Sequence, residues 1–177
     1  MADNDTHEAK LPVKTPGTQI TKNGTQVAGT TTELPDKFRI SDLKCRELIA
    51  KATEMLRFSY TPYSHFKVGA ALLTKAGKIY GGCNIENASY GATNCAERTA
   101  FFKAVSEGEM EFAAIAIVGG PEGKIMDFCP PCGICRQVMR EFCEPENFYI
   151  ILARSEADYW VYTLEELLPM SFGPENL

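Results

Sequence analysis

The chain has 177 residues, 45% of them hydrophobic, with a formal net charge of −5. That is one domain's worth of sequence with a real core and room for a tail. The acidity and the lack of a Lys/Arg run argue against a nucleic-acid partner, and no stretch nears the ~18 apolar residues of a membrane span. The N-terminus has no apolar signal core and no Arg before Arg39, so a cytoplasmic location, with reduced thiols, is expected. Seven cysteines there point to metal binding or catalysis more than to a disulfide framework, and an odd number cannot all pair internally.

Residues 1–36 read as a disordered N-terminal tail: Thr, Gly, Lys and Asp dominate, and bulky apolar residues stand singly. The alternative is a strand-like arm lying on a neighbouring subunit. Pro35-Asp36 marks the boundary, and residues 37–177 form the domain. Ser41 is a candidate N-cap with Asp42 in the first turn, and Leu43, Leu48, Ile49, Ala52, Met55 and Leu56 recur at helical spacing to about Arg57. Pro62 stops any continuation. Phe66 to Leu73 predicts a largely buried strand, and Lys75-Ala76-Gly77-Lys78 a turn in which Gly77 is free to take positive φ. Ile79 to Ile85 returns as a second strand, whose adjacent Gly81 and Gly82 allow another backbone to approach closely.

After a loop from Glu86 to Asn94, a helix starts near Cys95 and turns Ala100, Phe101, Ala104 and Val105 inward. Phe112 to Val118 is a buried strand. Pro131 and Cys132 open a third helix with Val138, Met139 and Phe142 facing in. Phe148 to Ala153 and Tyr159 to Tyr162 are two strands of a hairpin, and Leu164 to Leu168 is a short helix stopped by Pro169. Strand–helix–strand crossovers imply a mostly parallel core, and the hairpins imply antiparallel pairs at its margins. The expected fold is a three-layer α/β/α sandwich with a mixed sheet of about five strands.

Two stretches carry chemistry: Cys95-Ala96-Glu97-Arg98 and Cys129-Pro130-Pro131-Cys132-Gly133-Ile134-Cys135-Arg136. Both lie beyond strand ends and open helices, where open α/β sheets place their sites. Thiolates bind zinc, and a catalytic zinc keeps three protein ligands and an open position. Cys132 and Cys135, at i and i+3, share a helix face. Cys95 and Glu97 would diverge in mid-helix, but at a first turn the entering residue is not yet helical and the two can converge. A His or Cys, then Glu, then Pro-Cys-x-x-Cys is the pattern of zinc deaminases, in which the Glu moves protons. Three thiolates leave the zinc site with a net charge of about −1, which opposes hydroxide formation, so Arg98 and Arg136 are candidates to hydrogen-bond the sulfurs and draw charge away. Taken alone, Cys132 and Cys135 are equally a redox pair, half of a structural zinc site or buried thiols. Cys129-x-x-Cys132-x-x-Cys135 echoes an iron–sulfur run but lacks its fourth cysteine and proline downstream.

Further segments widen the pattern: Pro62-Tyr63-Ser64-His65-Phe66, Gly69-Ala70-Ala71-Leu72-Leu73, Gly82-Cys83-Asn84-Ile85-Glu86-Asn87-Ala88, Lys103-Ala104-Val105-Ser106-Glu107-Gly108 and Glu166-Leu167-Leu168-Pro169. With the two thiol motifs, they resemble the small homotetrameric zinc-dependent cytidine deaminases over roughly residues 43–177. The resemblance implies a cytidine deaminase-like fold, one zinc per chain on Cys95, Cys132 and Cys135, and Glu97 as proton shuttle. It implies that Asn84 and Glu86 bind the ribose 3′-hydroxyl, that Phe66 packs on the pyrimidine, and that the Ala96 amide receives the base carbonyl. Ala88 and Tyr90 would reach the 5′-hydroxyl in an adjacent subunit, and Phe172 would help close a neighbour's site. The implied activity is hydrolysis of cytidine and 2′-deoxycytidine to uridine, 2′-deoxyuridine and ammonia, with zinc-bound hydroxide attacking C4, in pyrimidine salvage. The implied assembly is a homotetramer with shared sites.

Two features depart from the family pattern: the long tail, and Cys129 where no thiol is needed. A competing reading is a non-enzymatic module with a structural zinc and Cys129 as fourth ligand. A deaminase of bases within RNA or DNA is disfavoured by the acidic chain and the sugar-binding match. His65 is expected at the surface or an interface, and Cys45, Cys83 and Cys143 as small core or half-exposed residues.

Overall fold

The computed structural model describes residues 25–28 and 39–177. The elements are β1 (Thr25–Ala28), α1 (Asp42–Met55), β2 (Phe66–Thr74), β3 (Ile79–Cys83), α2 (Ala96–Ser106), β4 (Phe112–Pro121), α3 (Gly133–Phe142), β5 (Tyr149–Ser155), β6 (Asp158–Thr163) and α4 (Leu164–Leu167). The sheet order is β1-β6-β5-β4-β2-β3. The five expected strands are β2 to β6, and β1 adds a sixth at the β6 edge, running antiparallel with Thr25 opposite Val161. Composition had suggested no regular structure there, but main-chain pairing with an open edge makes little demand on side-chain hydrophobicity. The rest of the expected tail, and its boundary at Pro35-Asp36, lie outside the described residues.

The expected parallel core shrinks to one adjacent pair, β4 with β5. The β3–α2–β4 crossover does join strands of the same direction, but β2 lies between them and is antiparallel to both. Within the β2–β3 hairpin it is β2 that lies beside β4, with β3 at the sheet edge. Gly77, at φ 92°, makes the turn between its strands as expected.

The layers form because each helix offers one apolar stripe. On α1, the stripe is Cys45, Leu48, Ile49 and Ala52, all at most 1% exposed. It packs against Ala71, Leu73, Ala114, Ala116, Val118 and Ile151 on one sheet face. Leu43, expected inward, is 77% exposed, because it points away from the Cys45–Ala52 stripe. The other face, with Leu72, Ile115, Ile117 and Ile150, is covered by Phe101 and Ala104 of α2 and Met139 of α3. Ser41 caps α1 by accepting from the Lys44 amide at 3.2 Å. A capping box of Thr163 and Glu166 starts α4. No helix among the described residues is long and apolar enough to cross a membrane.

A polar clasp joins α1 to β6. Asp42 accepts from Arg46 Nε at 2.7 Å and from the hydroxyl of the fully buried Tyr159. Arg46, then Tyr159, holds the Asp42 carboxyl below its ordinary value. Its contribution is therefore complete above the ordinary carboxyl pKa of about 4 and fades as pH falls through the lowered one. Asp42→Asn is expected to cost about 2 kcal/mol at pH 7, the range for hydrogen bonds to a charged group. Urea midpoints should show the gap from wild type narrowing as pH falls below about 4, and a pH-independent gap would refute the charge-based account.

Candidate metal and proton-transfer site

β3 and β4 run in the same direction, so their carboxyl ends lie on one side of the sheet. The chain leaves β3, makes the loop from Glu86 to Asn94, and enters α2. It leaves β4 and enters α3. The base of the first loop is stitched by reciprocal amide–carbonyl bonds between Ile85 and Asn94, both 2.9 Å. Thr99 donates its hydroxyl to the Cys83 carbonyl at 3.0 Å, tying α2 to the strand it follows. Gly82 lets the two approach: a Cβ built there lies 2.2 Å from the Ala96 carbonyl oxygen and 2.6 Å from the Ala100 nitrogen. The helix backbone thus rests directly on β3, as the glycine pair suggested.

Cys95 is the N-cap residue of α2 and Cys132 that of α3, both with extended backbone. Cys135 follows one turn into α3. The Cys95 and Cys132 sulfurs are 3.9 Å apart, those of Cys132 and Cys135 are 3.5 Å apart, and all three lie within 4.8 Å of one another. Sulfurs at two corners of a tetrahedron around a zinc ion, each at ~2.3 Å, would be separated by about 3.8 Å. The donor set and spacing fit zinc.

The electrostatics fit as well. The Cys95 thiol is brought down to about 5, first by the hydrogen bond from Cys135 and then by Arg98. Cys135, the donor of that pair and buried, is pushed up. Arg98 Nη2 lies 3.6 Å from the Cys95 sulfur and donates to the Thr93 carbonyl at 2.9 Å. Its Nε is buried next to this group without a partner among the described residues. Arg136, expected at the sulfurs, donates instead to the Pro131 carbonyl at 2.9 Å and the Leu167 carbonyl at 2.7 Å. It sits on the side of α3 that faces α4, so it braces the helix start through backbone.

Glu97, in the first turn of α2, is 4% exposed. Burial, opposed by a bond from its own backbone, raises its carboxyl to about 7. A group with that pKa gives and takes protons readily at neutral pH.

Cys129 stays outside the triangle of sulfurs. Its sulfur lies over Gly119, 3.0 Å from where a Cβ would be, and burial pushes its thiol up to about 12. With Phe66, Gly119 and Phe128 it lines a cavity of about 140 Å³. Cys129, the fourth ligand of the competing structural-zinc reading, is thus a wall residue of this cavity. A larger groove of about 1050 Å³ opens at the opposite end of the sheet, between Arg39, Phe112 and Tyr149, away from the thiols.

The remaining expected site residues are placed as follows. Phe66 begins β2 and is 39% exposed. Asn84 Oδ1 accepts from the Val68 amide and its Nδ2 donates to the Phe66 carbonyl, both at 2.8 Å, so it fixes the strand that carries Phe66. Glu86, 7% exposed, accepts from the Tyr63 amide at 2.9 Å, the Ser64 amide at 3.2 Å and the Ser64 hydroxyl. Those bonds, the Ser64 hydroxyl first, hold its carboxyl below the usual range. Asn84 retains one acceptor site and one donor, and Glu86 one acceptor site. Ala96 is buried at the first position of α2, which leaves its amide without an intrahelical acceptor. Ala88 and Tyr90 lie on the exposed loop, and Tyr90 is 66% exposed with its ring 6.0 Å from that of Tyr63. Phe172 is 59% exposed, its carbonyl accepting from Gln137 Nε2 at 3.0 Å. Sequence reasoning missed Ser64, which anchors Glu86, and Arg140, which is buried on α3. A short serine and a helix arginine carry no local signal for either contact. His65 is exposed at the surface as expected, and Cys45, Cys83 and Cys143 are buried.

The cytidine and deoxycytidylate deaminase zinc-binding region matches residues 44–151. The chain belongs to the cytidine deaminase family. A cytidine deaminase of Sporosarcina psychrophila is 49% identical over 131 residues, covering 74% of this chain and 93% of the relative. That of Halalkalibacterium halodurans is 49% identical over 130 residues, 73% of this chain and 95% of the relative. The crystal structure of a cytidine deaminase from Burkholderia pseudomallei superposes with a TM-score of 0.65 at 48% identity, covering 71% of this chain and 97% of that one. The family match spans both thiol motifs and every strand from β2 to β4, so fold and site belong together.

Proposed function

We propose that this protein hydrolyses cytidine and 2′-deoxycytidine to uridine and 2′-deoxyuridine with release of ammonia, the chemistry of pyrimidine salvage. The observation that carries the reading is one buried carboxylate, Glu97, beside a triangle of three sulfurs with tetrahedral spacing. Cys95, Cys132 and Cys135 would hold one zinc per chain, which when bound makes a water nucleophilic near neutral pH. Glu97 takes a proton as the water oxygen bonds to C4, passes it to the ring nitrogen, and serves the leaving amine as the C4–N bond breaks. One carboxylate suffices because the reaction both removes and returns protons.

Arg98 offsets the charge of the Cys95 thiolate. The Ala96 amide faces the base carbonyl and Phe66 packs on the ring. Asn84 and Glu86, already fixed by β2 and Ser64, receive the ribose 3′-hydroxyl with their spare capacity. Tyr90 and Phe172 are exposed aromatics with little to cover in their own chain, which supports a homotetramer whose subunits complete one another's sites, with Ala88 beside Tyr90 at the 5′-hydroxyl. A site of three free thiols suits the reducing cytosol.

Ammonia release from cytidine by the purified protein, with zinc quantified on the same sample, tests this. Turnover with about one zinc per chain is expected, the stoichiometry of a single three-thiolate site. Zinc without turnover on either nucleoside would reject the reading in favour of a structural metal. Sedimentation should give a tetramer, and a fully active monomer would remove the shared site.

A further inference from the structure

The helix that carries two of the three thiols also grips the C-terminus. Its side chains at 136, 137 and 140 all reach the segment after β6. Arg136 holds the Leu167 carbonyl and Gln137 the Phe172 carbonyl. Arg140 Nε donates to the Ser171 hydroxyl at 2.9 Å, and its Nη2 donates to Glu175. Arg140 is only 7% exposed, a rare state for a guanidinium and a costly one unless its donors are used. Gly173 lies flat on it: a Cβ there would stand 2.3 Å from the guanidinium carbon. Gly173 is extended, at φ −144° and ψ −178°. Side chains of an extended chain alternate sides, so with Ser171 and Gly173 against Arg140, Phe172 points away from it.

The clasp fixes a segment that would not hold itself. Met170, where the chain turns, takes φ 53° with its side chain 98% exposed. That backbone is uncommon outside glycine and persists where its surroundings impose it. The result is an aromatic ring 59% exposed on a backbone pinned at both sides. The site of a single chain is meanwhile open: Cys132 is exposed and Phe66 is 39% exposed. Small-molecule sites bury most of their ligand, so one wall is missing.

We infer that Arg140 is a positioning residue that holds Phe172 out as the closing wall of the nucleoside site in a second copy of the chain. This rests on the shared nucleoside site proposed above. Arg140 touches no reacting group, and its effect passes through Ser171, Gly173 and Glu175 to the ring.

The test begins with wild-type turnover on cytidine, without which the functional reading itself fails. Given that turnover, Arg140→Ala should raise KM about tenfold or more while kcat stays within about threefold, as expected for loss of binding shared by ground and transition states. Zinc content should be unchanged. Arg140→Lys keeps the charge without the planar fork and should fall between the two. Phe172→Ala should reproduce the KM rise, and the double variant should be no worse than Phe172→Ala alone, since the two act as one unit. Mixing Arg140→Ala with Glu97→Ala subunits should restore a low KM, because an intact C-terminus then meets an intact Glu97 from another chain. An unchanged KM in Arg140→Ala, additive effects in the double variant, or no recovery on mixing would each overturn the inference while leaving the functional reading in place. If Arg140→Ala does not fold, Gln137→Ala with Ser171→Ala loosens the same segment, and the same KM rise is required.

Discussion

Glu97→Ala is expected to lower kcat by about 10⁴-fold, the upper end for a single acid–base group, because one carboxylate handles each proton transfer. The fold and the zinc should both survive. Glu97 is not one of the three clustered sulfurs, and removing a carboxylate that is 4% exposed relieves burial of a charge. Glu97→Gln, with almost the same volume, should fail as badly, because an amide cannot shuttle protons. Steady-state turnover and metal analysis on the same preparations give the answer. Activity within tenfold of wild type would sink the proton-shuttle role. Loss of zinc together with activity would make Glu97 a structural or ligating group instead.

Gly82→Ala should be strongly damaging for a single added methyl. The added carbon would sit 2.2 Å from the Ala96 carbonyl oxygen and 2.6 Å from the Ala100 nitrogen, both backbone atoms that cannot rotate aside. Either β3 or the start of α2 must move. We expect a loss of about 3 kcal/mol, the upper part of the overpacking range, and a melting temperature about 10 °C lower. Activity should fall by about 100-fold in the protein that remains folded, since a displacement near 1 Å at a catalytic group has that effect. Gly133→Ala is the control for stability, because a Cβ there meets nothing within 4 Å. Equal melting temperatures for Gly82→Ala and wild type would show that the α2–β3 contact is looser than its geometry.

What could be read before folding was local. Alternating and helical hydrophobic periods located β2, β4, α1 and α2, because a strand or helix must turn an apolar side to the core whatever the core contains. Ser41, Gly77 and the glycine pair at 81 and 82 were legible for the same reason: a cap, a positive φ and a close approach are demands of the backbone at one position. The candidate site was legible because Cys95-Ala96-Glu97 and Cys132-x-x-Cys135 each place their groups within one helical turn.

The tertiary structure decided everything that joins distant segments. Strand order depended on which edge each strand found, so β2 came between β3 and β4 and left one parallel pair. The strand Thr25–Ala28 exists through pairing with β6, which no propensity of those four residues required. Arg136 and Cys129, one residue from Cys135 and three from Cys132, were assigned to the sulfurs on sequence distance alone. Arg136 faces Leu167, and Cys129 stays outside the sulfur triangle over Gly119. Arg140 reads as an ordinary helix arginine, yet its burial and its hold on Ser171 and Glu175 arise from a chain end that returns 31 to 35 residues later. Composition and periodicity determine which residues must be buried and which can bind a metal. Which of them meet is settled by long-range packing, whose energy no short stretch of chain contains.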